Sequence, residues 1–185
     1  MKAIVTSIGE TTTDLCIWSL ERNGFTTQLV YNEGSSLGDK LEYIYTKVDE
    51  DFLRVDADVV ANHNCTPQNI KKIADNSPSV YWIQFGCYDW YKQDVIDGGV
   101  QYIKKIALTD LRNNIKRHKD DERPETAMYR LDSFMTPRRC ITYNKIMGLH
   151  GFRQKDIDRI KATKTRRNQT DYDFELAEKL EGLCE

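Results

Sequence analysis

The hydrophobic pattern changes period several times along the first sixty positions. Residues 2–9, KAIVTSIG, are a short apolar, β-branched run that stops at a glycine, as a buried strand feeding a loop does. The Thr11-Thr12-Thr13-Asp14 cluster supplies capping side chains for a helix that carries Leu15, Ile17, Trp18 and Leu20 and stops at Asn23-Gly24. A second strand is expected from about Phe25 to Tyr31. After the turn-rich NEGSSLGD, KLEYIYTKV places its apolar residues at helical spacing, and FLRVDADVV reads as another central strand. Strand, helix, strand, helix, strand is the order of an α/β sheet.

Further along, VYWIQF (80–85) adds a strand, and VQYIKKIA from residue 100 either adds another or opens the helix that runs towards Lys119. Pro124 and Glu125 suit a first helical turn, because proline has no amide to donate and an acid complements the positive helix end. A last helix is expected from about Tyr172 to Leu183. No repeat or long linker divides the chain, so one layered domain over residues 1–185 is expected.

Composition changes this picture little. The 185 residues are 39% hydrophobic and 30% charged, enough for one core with a wet surface. The net charge of -2 gives no global attraction to nucleic acid or anionic membrane, although Arg153 to Arg167 is strongly basic and Asp171 to Glu185 mostly acidic. No basic-apolar-small targeting pattern opens the chain and no run of about 18 apolar residues occurs, so a soluble, cytoplasmic protein is expected. Cys16, Cys65, Cys87, Cys140 and Cys184 form no CxxC pair, which favours reduced thiols.

The chemistry concentrates in Arg54-Val55-Asp56-Ala57-Asp58-Val59-Val60, where two carboxylates interrupt an apolar strand near its carboxyl end. Residues two apart on a strand share a face, so Asp56 and Asp58 are expected to converge, and two uncompensated carboxylates there would resist ionisation. A divalent cation removes that conflict. Mg²⁺ and Mn²⁺ commonly bridge protein carboxylates to phosphate oxygens, and ligands of α/β sheets gather beyond the strands' carboxyl ends. A bare DxD tripeptide is by itself usually a solvated turn.

With DKLEYIY followed by DEDFLRVDADVVAN, the chain resembles the central segment of glycosyltransferases with the GT-A fold, glycogenin-like enzymes among them. The resemblance implies a single-domain, Rossmann-type mixed sheet flanked by helices, with a nucleotide-binding half over about 1–65 and an acceptor half over about 66–185. It implies a nucleotide-sugar donor, a UDP-sugar favoured, with Mn²⁺ or Mg²⁺ as cofactor. Thr6, Ser7, Ile8 and Gly9 would then hold nucleobase and ribose, Lys40 the donor's oxygens, and Gly98 and Gly99 would let the chain pass close to the donor sugar. MGLHGFRQK (147–155) is similar to the family's C-terminal histidine segment, which makes His150 a metal ligand beside Asp56 and Asp58. RPETAMYRL (123–131) resembles the acidic helix start of inverting members, which makes Glu125 the base that deprotonates the acceptor, with Asp121 and Glu122 as substitutes. The acceptor, whether glycan, protein or nucleic acid, does not follow.

Other features are weaker. His63 lies close after the DAD segment, and His118 reads as a surface residue. The aromatic group Tyr81, Trp82, Phe85, Tyr88, Trp90 and Tyr91 is either a stacking platform or packing. Two other classes compete with the transferase. A nucleotidyltransferase on a related scaffold would also use paired acids, but TSIGETTTD lacks the glycine-rich basic loop of that class. A non-catalytic nucleotide- or nucleic-acid-binding module would use the basic segment RQKDIDRIKATKTRRNQ.

Overall fold

A computed structural model describes residues 1–31, 35–121, 124–125, 128 and 140–152. Among them, a seven-stranded mixed sheet is flanked by four α-helices, the α/β architecture expected from the order of elements. The elements are β1 (Lys2–Ser7), α1 (Thr13–Arg22), β2 (Thr26–Tyr31), α2 (Leu37–Lys47), β3 (Phe52–Asp56), β4 (Val59–Ala61), α3 (Pro67–Asp75), β5 (Trp82–Asp89), β6 (Asp94–Ile103), α4 (Leu108–His118) and β7 (Cys140–His150). The strand order is β2-β1-β3-β6-β5-β7-β4. Strands from residues 1–65 and from later in the chain therefore interleave in one sheet.

Period-2 alternation divides the core between the two faces of the sheet. Ala3, Val5, Leu53 and Val55 pack on one side with Cys16 and Leu20 of α1 and Ile70 of α3. Ile4 and Phe52 pack on the other with Leu41, Ile44 and Tyr45 of α2 and Leu111 and Ile115 of α4. The central strands are apolar on both faces because helices cover both.

Several expectations need correction. FLRVDADVV is not one strand. β3 ends at Asp56, Ala57-Asp58 makes a turn, and β4 departs to pair antiparallel with β7, Val59 opposite His150. Strand alternation is therefore not what places Asp56 and Asp58. The run from residue 100 is both things at once, the end of β6 to Ile103 and then a 3₁₀ turn, Lys105–Ala107, that opens α4. β5 continues past Phe85 to Asp89. Thr12 precedes α1 but does not cap it with its side chain; its hydroxyl donates instead to the Ala57 carbonyl at 3.0 Å, fastening α1 to the turn after β3.

α3 and β7 lie outside the elements expected from the hydrophobic pattern, although α3 carries an ordinary signal: Pro67 in the first turn and Thr66 accepting from the Asn69 amide at 3.2 Å. Pro124 and Glu125 are helical, as their sequence indicates. The 172–183 helix and the basic segment 153–169 lie outside the described residues. Cys16, Cys65, Cys87 and Cys140 are buried, and burial pushes the Cys65 thiol up to about 12. Among the described residues no helix is long and apolar enough to cross a membrane.

The two helices on the Phe52 face meet at Gly38. A methyl group there would overlap the Lys119 carbonyl at the end of α4. Gly38→Ala gains about 0.8–1.0 kcal/mol in helix propensity but forces apart two backbones at a cost of about 1–3 kcal/mol. Net destabilisation is expected in urea unfolding; a more stable variant would show that the end of α4 yields.

Candidate functional site

Strand directions decide where the chemistry collects. β1 runs parallel to β2 and β3, β3 is antiparallel to β6, β6 is antiparallel to β5, and β5 is parallel to β7. β1, β2, β3, β5 and β7 thus point their carboxyl ends at the same rim, which carries Ser7, Tyr31, Asp56, Asp89 and His150. Asp58 joins them because β4 starts there, and the Gly151 amide donates to the Asp58 carbonyl at 2.8 Å. This is the edge at which α/β sheets bind ligands.

His150 stands between two carboxylates. Its Nε2 lies 3.2 Å from Asp58 Oδ2 and its Nδ1 lies 3.0 Å from Asp89 Oδ2. Asp58 is 3% exposed and Asp89 5%. Burial alone would push the imidazole's pKa down, but the Asp58 hydrogen bond and charge, followed by Asp56 and Asp89, hold it above its usual value. Burial likewise raises Asp89, yet the Lys92 and Tyr91 amides and the His150 charge win and its pKa is lowered. Sequence reasoning missed Asp89, which reads as a turn residue in CYDW.

Gly99 makes room for this arrangement. Its φ of +78° suits glycine, and an added methyl would lie 2.9 Å from Val59 Cγ2 and 3.7 Å from His150 Cδ2. Gly98, with φ +117°, faces Gln84 instead.

Asp56 belongs to a second network. Arg54, 2% exposed, donates through Nη2 to Asp56 Oδ1 at 2.7 Å and through Nη1 to Gln101 Oε1 at 2.8 Å, and it forms an ion pair with Glu125. The Thr6 hydroxyl also donates to Asp56 Oδ1, at 3.1 Å. Asp56 and Glu125, from distant parts of the chain, are thus compensated by one guanidinium. Lys40 is buried on α2 rather than exposed.

The β1–α1 loop is shaped by a buried acid that the sequence reading passed over. Glu10 Oε2 accepts from the Ser7 hydroxyl at 2.7 Å and the Ile8 amide at 2.8 Å, and the Gly9 amide donates to Ser7 Oγ at 2.9 Å. Burial raises the Glu10 pKa against these donors, and the Asp58 charge adds to the rise. Gly9, at φ +95°, is close enough to the Tyr31 ring that an added methyl would lie 3.5 Å from it. Of the other histidines, His63 is exposed after β4, and His118 pairs with Asp121 at 2.7 Å at the end of α4.

A divalent cation is tested by the donor set. Asp58 offers a hard oxygen, and His150, with Nδ1 held by Asp89, turns Nε2 towards that oxygen. The pair suits Mn²⁺ or Mg²⁺ bound through few protein donors and completed by phosphate oxygens. Among the described residues no group of three or more His, Cys, Asp or Glu side chains that could hold a metal ion is found; Asp56 accepts from Arg54 and Thr6 through Oδ1. Asp58 and His150 thus supply two protein donors at this rim, and a cation held by them would take its other ligands from outside the chain.

No protein-family profile matches the sequence, and no curated protein matches it. Among solved structures, the chain is similar to a glycosyltransferase involved in the glycosylation of the major capsid of PBCV-1, with 16% identity and a TM-score of 0.54 over 80% of this chain and 92% of that one. It is also similar to a 4-diphosphocytidyl-2C-methyl-D-erythritol synthase from Anaerococcus prevotii, with 9% identity and a TM-score of 0.52 over 88% and 93%. At these identities the likeness is one of fold.

Two outcomes follow from the charges. The native state binds the His150 proton more tightly than the unfolded chain, so this stabilisation is complete below about pH 6.5 and is lost as pH rises through the raised native value. The stability of the wild type over His150→Gln, measured by denaturant unfolding, should shrink across that window; a pH-independent difference would show an uncharged His150. Arg54→Met strands two carboxylates and should cost about 3–5 kcal/mol; a cost below about 1 kcal/mol, the scale of an exposed pair, would contradict the network.

Proposed function

We propose that the chain is a metal-dependent glycosyltransferase that moves a sugar from a nucleoside-diphosphate sugar, a UDP-sugar favoured, to an acceptor hydroxyl. The observation that carries this reading is the meeting of Asp58, from the turn after β3, with His150, from the end of β7, at 3.2 Å on the sheet's ligand-binding rim. The shared fold with a glycosyltransferase supports it.

In this reading the β1–α1 loop, with Thr6, Ser7, Ile8 and Gly9, receives the nucleoside, and Glu10 fixes the loop's shape beneath it. Asp58 and His150 would hold a cation, which would supply positive charge to the departing diphosphate. Asp56, fixed by Arg54 and Thr6, faces the same rim as a hydrogen-bond acceptor for the donor, and Gly99 keeps the approach to His150 open. Lys40 offers its charge to the donor's phosphate or sugar oxygens in this reading.

Transfer forms a bond from the acceptor oxygen to the anomeric carbon as the bond from that carbon to the diphosphate breaks. The acceptor's proton goes to Glu125, the electron pair leaves on the diphosphate, and attack on the face opposite the leaving group inverts the anomeric carbon. Glu125 must exchange its Arg54 contact for the acceptor hydroxyl to do so, which makes Arg54 the partner that the acceptor displaces.

A nucleotidyltransferase is the second reading, because the synthase of similar fold is named for a diphosphocytidyl product. One assay separates the two: release of nucleoside diphosphate from a nucleotide-sugar, or of pyrophosphate from a triphosphate. Mn²⁺-dependent diphosphate release is expected, reduced about 10²–10³-fold by Asp58→Ala, the scale of losing one preorganised electrostatic group. An Asp58→Ala protein with intact metal-dependent donor binding and turnover would sink the assignment.

A further inference from the structure

β5 and β6 are joined by a four-residue tip, Trp90 to Gln93, and every amide in it is hydrogen-bonded. Trp90 donates to the His150 carbonyl and Gln93 to the Asp89 carbonyl, each at 2.9 Å. Tyr91 and Lys92 donate to Asp89 Oδ1 at 3.0 and 2.8 Å. Gln93 takes a left-handed φ of +53° within the turn. The tip is therefore fixed in shape and fastened to the end of β7 beside His150.

A turn of this kind favours glycine, asparagine, aspartate or serine, and this one carries Trp90 and Tyr91 instead. Of the aromatic residues clustered before it, Trp82 and Phe85 are core, whereas Trp90 is 50% exposed and Tyr91 38%. The Trp90 ring meets that of Phe152, with centroids 5.1 Å apart and planes at 81°, edge against face. Phe152 follows His150 by two residues, so the two rings crown the ends of β7 and β5. A half-open indole, packed on one side and carried by a fully bonded tip, is a preorganised contact surface.

The surface is small and its surroundings are polar. A buried aromatic side chain covers about 150–250 Å², so these half-open rings offer far less than the roughly 800 Å² that each partner brings to a stable protein interface. Lys92, Gln93 and Asp94, all exposed, add hydrogen-bonding groups around them. A ligand with an apolar face and a hydrogen-bonding edge fits this mixture. A pyranose ring is such a ligand: its C–H face lies on an indole while its hydroxyls meet amide, ammonium and carboxylate groups.

A nucleobase would also stack, but in the proposed function the nucleoside occupies the β1–α1 loop. β3 and β6 separate β1 from β5, which is three strand spacings or about 14 Å. The donor's own sugar does not suit a half-open ring, because the reacting carbon has to be screened from water. We propose that Trp90, backed by Phe152, stacks against a sugar ring of the acceptor, so that the acceptor is a saccharide. The acceptor role rests on the transferase reading above; sugar binding at this surface does not depend on it.

The experiment uses the full chain labelled with fluorotryptophan. Its three tryptophans, Trp18, Trp82 and Trp90, give three fluorine resonances, assigned through Trp18→Phe and Trp90→Phe. Maltose, cellobiose, lactose, mannobiose and N,N′-diacetylchitobiose are titrated in turn, and UDP separately. At least one disaccharide should move the Trp90 resonance to saturation. Trp18, similarly exposed but lying under the Arg22 guanidinium, and the buried Trp82 should stay in place. In the transfer assay Trp90→Ala should raise the KM for that disaccharide about 10–100-fold, the scale of losing one aromatic anchor, and Trp90→Phe should recover part of the loss. The Trp82 resonance reports that each variant is folded. A Trp90 resonance that answers to UDP and to no saccharide assigns the ring to the donor and overturns the inference. Silence at Trp90 across the panel, equal shifts at Trp18 and Trp90, or a Trp90 shift that follows protein concentration without sugar also overturn it, and leave the transferase reading intact. Saccharide binding at Trp90 without diphosphate release from any nucleotide-sugar sinks the transferase reading, and the acceptor role with it.

Discussion

A carboxylate as buried as that of Asp58 must be compensated by a partner of opposite charge, and the rest of the rim is arranged around that requirement. The partner is His150, and for it to arrive the chain must complete β7 and lay it parallel to β5 and antiparallel to β4. Charge compensation at one end of the sheet is thus bound up with strand pairing along its length. An imidazole suits the position because the two carboxylates favour its protonated form, and in the proposed reading that proton is given up to a cation. A lysine or arginine there would compensate the charge permanently.

The second buried charge behaves differently. Arg54 lies beneath the sheet on the α2 and α4 side and is held by Asp56 and Glu125 together with Gln101. A guanidinium does not lose its proton, so this cluster is fixed in charge. It links the end of β3 to the helical residues at Pro124 and Glu125, joining the proposed donor side of the rim to the proposed acceptor side. The two networks share the DAD segment but divide it: Asp56 faces a permanent cation and Asp58 a titratable one.

Much of this was legible in the sequence, and the misses have common causes. The α/β order and the strand and helix near the amino terminus are local patterns and could be read from their own residues. The break after Asp56 could not, because VDADVV fits one strand as well as two, and only the non-local partner β7 decides. Asp89 was hidden for a similar reason. One of its oxygens does what a turn aspartate does, and the use of the other depends on the register that sets Asp89 opposite His150. Arg54 is a single charge within an apolar run, and its role depends on Tyr45, Gln101 and Glu125, which close around it from distant parts of the chain. α3 is a different case, since Thr66-Pro67 announced it within the sequence.

The central claim is that a cation sits between Asp58 and His150 and meets the donor's diphosphate there. The most direct measurement is an anomalous difference map from a crystal soaked in Mn²⁺ and UDP. The expected result is a peak in contact with Asp58 Oδ2 and His150 Nε2, with diphosphate oxygens completing the coordination and Asp89 behind the ring. A peak elsewhere, or bound UDP with the Asp58 and His150 side chains still joined to each other and no metal between them, contradicts it.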